Sequence, residues 1–330
     1  MVHGAGGKAT HTLVAGLFAP AFANDALAEL GDAARLDIDG AALCLTTDSF
    51  VVKPLRFPGG SIGELAVNGT VNDLAVSGAR PQAVTAAFII EEGLDADVVR
   101  AEASAMAEAA RRAGVAVVAG DTKVVERNKA DGMYITTAGV GVRRGGAALG
   151  SASIRPGDKV LCSGHIGDHG TAIMLARGEL ELDADIVSDT ASVWPQAEAL
   201  IEVAGPALRV MRDPTRGGVA TVLNELAGDA GAGMVLDENA VPIHSAVKGA
   251  CEILGIDPMY VANEGVLLAV VAPEAAGDAL DAMAATQGGA AAAVIGEVAE
   301  EPEGMVLVRT GFGGTRIMDM LIGDPLPRIC

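Results

Sequence analysis

The sequence predicts a protein of mixed helices and strands, α+β or α/β, built as two domains. Three observations predict it. The chain has 330 residues, about twice a modal domain length. Strand-like and helix-like segments alternate through residues 41–142 and again from 159 onward. Between them, RRGGAALGSASIRPGD at 143–158 collects Gly, Ser and Pro with little periodicity. The expected division is 1–152, 153–322 and a tail at 323–330.

In the first domain, LCLTT at 43–47 reads as a short apolar strand ending in Asp48, and Ser61–Ser77 as a helix opened by serine. AVTAAFIIEE at 83–92 is a strand, Asp95–Ala113 an Ala-rich amphipathic helix stopped by Gly114, and VAVVAG and GMYITTAGVGV are two further strands. In the second domain KVLCSG is a strand, followed by helices over Asp168–Arg177, Ala191–Val203 and Gly217–Ala230. GMVLD, GVLLAVV, AAAVIGEV and GMVLVRT are strands, with helices over His244–Leu254 and Pro273–Thr286 between them. Pro325 and Pro327 bias the last residues toward an extended path.

Composition excludes several function classes. A formal charge of −20 repels phosphate backbones and anionic lipid, so nucleic-acid binding is not expected. The longest apolar runs, such as Ala83–Ile90 and Val266–Ala272, fall well short of the roughly 18 residues of a membrane helix. MVHGAGGKATHT lacks an apolar signal core, which makes the cytoplasm the expected compartment. Cys44, Cys162, Cys251 and Cys330 form no CxxC pair, so a zinc site of local spacing is not expected. The first three lie in apolar stretches and read as buried core residues. Cys330 is the last residue, where an exposed thiol is either incidental or useful for its mobility.

Three acidic residues stand where strands and helices present side chains to a cleft: Asp48 in TTDS, Asp73 in NDLAVSGA and Asp121 in GDTK. Carboxylates converging without thiols or clustered imidazoles suit Mg²⁺, which with few protein ligands arrives on nucleotide phosphates. Any one of them also reads as a solvated loop carboxylate. Glu64, Asn68 and Asn72 fall at i, i+4 and i+8, a polar stripe that costs helix propensity and so reads as ligand-facing. HGAGGK has the composition of a phosphate nest but neither the Walker A nor the dinucleotide spacing. DPTRGG at 213–218 offers Asp213 or Thr215 as a helix cap, with Arg216 beside an anion site. His165 and His169 flank a glycine turn, as proton carriers or as turn and cap residues. Lys123 and Glu264 are charged residues set against apolar strands, where burial shifts proton affinity.

With TTDS, GGSIG, NDLAVSGA, GDTKVV, SGHIGDHG, DPTRGG, NEG and a terminal PRIC in this order, the chain resembles the HypE family of hydrogenase maturation proteins. That family lies in the aminoimidazole ribonucleotide synthetase (PurM-like) superfamily of ATP-using enzymes. The resemblance runs from His3 to Cys330, and PRIC is its family-specific part. It implies an α+β fold: an N-terminal half-barrel that closes across a homodimer, a C-terminal domain with a ferredoxin-like core, and an extended tail. It implies ATP and Mg²⁺ held by Asp48, Asp73 and Asp121, with Asn68 and Thr122 beside the nucleotide and the segment of Gly4, Gly6 and Gly7 folding over the phosphates. It implies that Cys330 takes a carbamoyl group from the carbamoyltransferase HypF and that ATP drives its dehydration to a thiocyanate. The cyanide then passes to iron on the HypC–HypD complex for nickel–iron hydrogenase.

The chemistry agrees with this implication. A thiocarbamate cannot shed its oxygen as hydroxide, a very poor leaving group, so the oxygen must be phosphorylated while a base removes the N–H protons. Such a site needs a nucleotide clamp, a thiol on a movable arm and a proton acceptor. Lys123 and Glu264 are the expected proton-transfer and positioning residues, with His165 or His169 second. Residues 323–330 could reach roughly 26 Å when extended, enough to carry the thiol between cleft and surface. The alternatives are another ATP-using enzyme of the superfamily with Cys330 incidental, and a non-catalytic maturation scaffold.

Overall fold

The computed structural model describes residues 7–27, 30–144, 149–178 and 184–321. A short helix α1 (Lys8–Leu13) continues as a wider helical turn over Val14–Phe18 into α2 (Ala19–Ala21). β1 (Ala34–Ile38) and β2 (Ala41–Phe50) form a hairpin, and β3 (Arg56–Phe57) with β4 (Gly60–Ser61) a second, smaller one. Then come α3 (Ile62–Val76), β5 (Ala79–Glu91), α4 (Ala96–Ala113), β6 (Ala116–Val125) and β7 (Met133–Arg143). The five-stranded sheet has the order β1-β2-β7-β5-β6, antiparallel except for the β5–β6 pair.

Local chemistry accounts for these elements. Asp95 caps α4 by accepting the Asp97 N–H at 2.8 Å, and Gly114 ends it at φ +69, a left-handed conformation open to glycine. On β2 and β7, residues Cys44, Thr46, Phe50, Met133, Ile135 and Thr137 are buried, alternating with more exposed neighbours. This inner face is covered by α3 and α4. The opposite face is open, and edge strand β6 is exposed along nearly its whole length, Val118 at 63% and Val124 at 67%.

In the second half, β8 (Lys159–Cys162), α5 (Asp168–Ala176), α6 (Trp194–Ala204), β9 (Leu208–Arg212), α7 (Gly218–Ala230), β10 (Gly233–Asp237) and α8 (Ser245–Leu254) precede β11 (Leu268–Val271). α9 (Ala276–Ala284), β12 (Ala293–Ala299), β13 (Val306–Arg309) and β14 (Thr315–Ile317) complete it. Seven strands form one sheet in the order β14-β13-β10-β12-β8-β11-β9. Both faces are buried: Val160, Leu268 and Val270 join the core under α7, while Leu161, Ala269 and Val271 join the core under α6 and α9. α5 and α8 pack into the core of the first sheet, so the halves share apolar surface.

The sequence reading missed β1, β3, β4, β9, β14 and the N-terminal helical segment. It also began α6 too early, because residues 188–193 run as a loop with bonding of its own, described below. Among the described residues no helix is long and apolar enough to cross a membrane. Gly7 and Lys8 meet the other end of the described chain: the Lys8 N–H donates to the Leu321 carbonyl at 3.2 Å, and its ammonium sits 3.0 Å from Asp319.

Cys44, Cys162 and Cys251 are fully buried, and burial pushes the Cys162 thiol up to about 12. Alkylation of the native protein should therefore leave these three untouched while modifying Cys330, which lies outside the described residues. Peptide mapping that finds label on any of the three would contradict their burial.

Candidate active site

The site is built around acids from distant parts of the chain. Asp32 precedes β1, Asp73 lies on α3 and Asp213 follows β9, and their carboxylate oxygens lie within 4.8 Å of one another. The Thr46 hydroxyl, on the inner face of β2, stands 2.7 Å from Asp73 Oδ2 and 2.9 Å from the Asp32 carbonyl. Arg212 neutralises one member, its Nε 2.7 Å from Asp32, while its other arm meets Glu225 at 3.1 Å.

Burial is the first cause of proton retention here and mutual repulsion the second. Burial, then the charges of Asp213, Asp48 and Asp32, hold the Asp73 carboxyl well above the usual carboxylate range. Burial pushes Asp213 up to about 8, with Asp32 adding to it and Arg212 opposing. Asp48 is raised by burial and eased by Arg216. Like charges held this close in a poorly solvated place are relieved by a divalent cation, and an all-carboxylate donor set suits a hard one such as Mg²⁺. The residues fit that ion.

Within one protomer the expected trio of Asp48, Asp73 and Asp121 is not brought together. Asp48 pairs across the sheet with Thr137, Thr137 with Ala86, and Ala86 with Gly120, whereas Asp121 is one residue further along β6 and pairs with Ala87. The step puts Asp121 on the opposite, open face, roughly 14 Å away at three strand spacings. There the Lys123 ammonium and the Thr122 N–H hold its carboxyl below the usual range. Asp121, Thr122 and Lys123 do not meet Asp48 and Asp73 within one protomer.

Glu264 is 3% exposed, its Oε2 3.8 Å from where a Cβ on Gly69 of α3 would lie. Burial, then Asp189, Asp213 and Asp48, raise its carboxyl well above the ordinary value, with Arg216 opposing. Asp189 accepts the backbone N–H groups of Glu264, at 3.1 Å from both oxygens, and of Gly265 at 3.0 Å.

Two members of the polar stripe on α3 are spent on the Glu264 peptide and the loop before α6. Asn72 donates to the carbonyls of Ala191 and Glu264, at 2.9 and 3.1 Å, and accepts the Val193 N–H at 2.9 Å. Asn68 donates to Thr190 at 3.2 Å, and Glu64 pairs with Arg112. Asn68 and Asn72 thus join the two halves, while Glu64 is paired within the first.

The remaining candidates scatter. α7 is capped by Gly217 at φ +79 without any side-chain cap, so Asp213 is free to face the carboxylates, and Arg216 reaches the charges of Asp48 and Glu264. His169 is buried, 2.8 Å from the Ser188 hydroxyl and edge-on to Phe57, while His165 stacks on His244 at 3.7 Å. Neither joins the carboxylates. Gly7 begins α1, and Gly4, Gly6 and Cys330 lie outside the described residues. The sequence reading missed Asp32 because it missed β1, took Asp213 for a cap, and had no signal for Asp189.

The N-terminal-domain model of the AIR synthase related protein family matches residues 30–143, and the C-terminal-domain model matches residues 155–309. Carbamoyl dehydratase HypE of Bradyrhizobium diazoefficiens is 50% identical over 328 residues, covering 99% of this chain and 95% of that protein. Among solved structures, a HypE–HypF complex contains a chain 47% identical with a TM-score of 0.89, covering 94% of this chain and 99% of that one. HypE in complex with ATP is 45% identical with a TM-score of 0.84, covering 98% of each. By domain matches, whole-length identity and fold, the chain belongs to the AIR synthase related family and, within it, to the HypE carbamoyl dehydratases.

Proposed function

We propose that this protein is an ATP-dependent carbamoyl dehydratase of cytoplasmic hydrogenase maturation, converting an S-carbamoyl group on Cys330 to a thiocyanate. The observation that carries the reading is the cluster of Asp32, Asp73 and Asp213, with Glu264 within reach of their charge, in a chain that belongs to the HypE carbamoyl dehydratases. Asp32, Asp73 and Asp213, with Asp48 beside them, would hold the Mg²⁺ of the nucleotide. ATP supplies the phosphoryl group that lets the carbamoyl oxygen leave as phosphate.

The chain's own residues do the rest. Glu264 holds its proton while the neighbouring carboxylates are unrelieved; with their charge offset by the cation of the nucleotide it is ionised, and it then takes an N–H proton as the nitrile forms. Arg216 faces the same cleft and balances the charge that collects there. The second N–H proton leaves to solvent, so the thiocarbamate loses two protons and one oxygen, the elements of water. We assign Gly4, Gly6 and Gly7 to the phosphates and Asn68 to the cleft wall.

Lys123, Thr122 and Asp121 serve in this reading across a homodimer. Their strand is an exposed edge, and the open sheet face with Leu45, Ile89 and Val118 calls for cover. HypF as carbamoyl donor and HypC–HypD as cyanide acceptor complete the proposal, which rests on the HypE–HypF likeness for the first. The division at 152/153 with 323–330 as a carrying arm belongs to it too.

Intact-protein mass tests the reading. Incubation with the carbamoylation system should add one carbamoyl group at the Cys330 peptide, and ATP with Mg²⁺ should then remove one water. Addition without water loss supports a scaffold; ATP use without any protein mass change supports a small-molecule enzyme.

A further inference from the structure

We propose that Asp189 is a positioning residue for the dehydration: it takes the backbone N–H groups of Glu264 and Gly265 and so fixes where the Glu264 carboxyl stands. The inference rests on the role given above to Glu264.

Three features of the loop at 188–193 carry it. First, one carboxylate is committed to two consecutive N–H groups, with contacts of 3.1, 3.1 and 3.0 Å, a charge-assisted clasp on the peptide that bears the acid. Second, the Glu264 carbonyl is held from the far side, accepting from Asn72 at 3.1 Å and from the Ala191 N–H at 3.3 Å. Both polar groups of the Glu264 main chain thus end on this loop and on α3. Third, the approach leaves no slack: a Cβ on Gly265 would lie 1.9 Å from the Asp189 carbonyl oxygen, so glycine is required there by contact. The loop is pinned in turn, with the Ser188 N–H on the Pro58 carbonyl at 2.8 Å and the Ser188 hydroxyl on His169.

A base acts only if its carboxyl lies within hydrogen-bond reach of the proton it takes, and a displacement of about 1 Å costs about 10²-fold in rate. Asp189 reaches substrate through no atom of its own here; it acts through Glu264. That relation is measurable as non-additivity.

The test uses full-length protein carbamoylated at its terminal cysteine, with water loss on adding ATP and Mg²⁺ followed by mass. Asp189→Asn should slow water loss about 10²-fold while leaving nucleotide affinity as in the parent, and Asp189→Ser is the second variant should Asn fail to fold. The double variant Asp189→Asn/Glu264→Gln should be no slower than Glu264→Gln alone. Water loss at the parental rate, losses that multiply in the double variant, or a joint collapse of nucleotide affinity and melting temperature in both Asp189 variants would each overturn the inference alone. A parent protein that keeps its carbamoyl group in the presence of ATP overturns the dehydratase reading, and this inference with it.

Discussion

Replacing Asp73 by Asn should weaken Mg²⁺-nucleotide binding by about 10²-fold and, at alkaline pH, make the metal-free chain harder to unfold. The two effects have one cause. Asp73 is raised by burial and by three neighbouring carboxylates, so its charge is costly until a cation shares the site. Asn keeps an oxygen for the Thr46 hydroxyl, now 2.7 Å from Asp73, and leaves no cavity. Relief of the buried charge should stabilise the metal-free protein by about 1–3 kcal/mol at alkaline pH, where the parent carboxyl is ionised, and the gain should fade as pH falls and burial returns the proton to Asp73. Calorimetry of nucleotide binding and thermal unfolding with and without Mg²⁺ measure both signs. Unchanged nucleotide affinity would remove Asp73 from the site.

Metal-free stability should fall as pH rises from 5 to 8. Asp213 at about 8 and Asp189 at about 7, together with Asp32, Asp48, Asp73 and Glu264, hold their protons in the fold beyond their ordinary values, burial being the first cause for each. A carboxyl raised by folding contributes stability in full below its unfolded pKa and loses it as pH climbs through the folded one. Each such group changes stability by about 1.4 kcal/mol per pH unit across that window, and their coupled sum is of the order of several kcal/mol. Asp121, Glu91, Glu297 and Asp319 have the opposite sign, but they are exposed and their effect is small. Urea midpoints at pH 5.5 and pH 8 in chelator test the slope, and Mg²⁺ with ATP should restore the pH 8 midpoint. A midpoint that is flat or rises with pH in chelator would contradict the carboxylate cluster as described.

Elements with strong local signals were legible in the sequence. α4 begins at the Asp95 cap and stops at Gly114 as its residues dictate, and α3 follows Ser61. The site was legible in kind and not in membership. Asp73 was singled out as a carboxylate that its element presents to a cleft, and Glu264 as a charge set against an apolar strand. Asp32 was not, because the short strand after it, ARLDI, has no clear period. Asp121 shows the limit most clearly: strand pairing decides by a single residue whether a side chain meets Asp48 or its opposite face, and no local pattern encodes that step. Asp189 is a product of topology, since its partners sit 75 and 76 positions away in the chain.

The Asn72 amide joins α3 to both the 188–193 loop and the Glu264 peptide, so this junction cannot serve as a hinge. Rotation of the two halves about that junction would break three hydrogen bonds together, two of them buried with no solvent to replace them. Entry and exit of a ligand must be governed elsewhere. Residues on either side of this junction would then meet an incoming nucleotide with little ordering left to be lost on association.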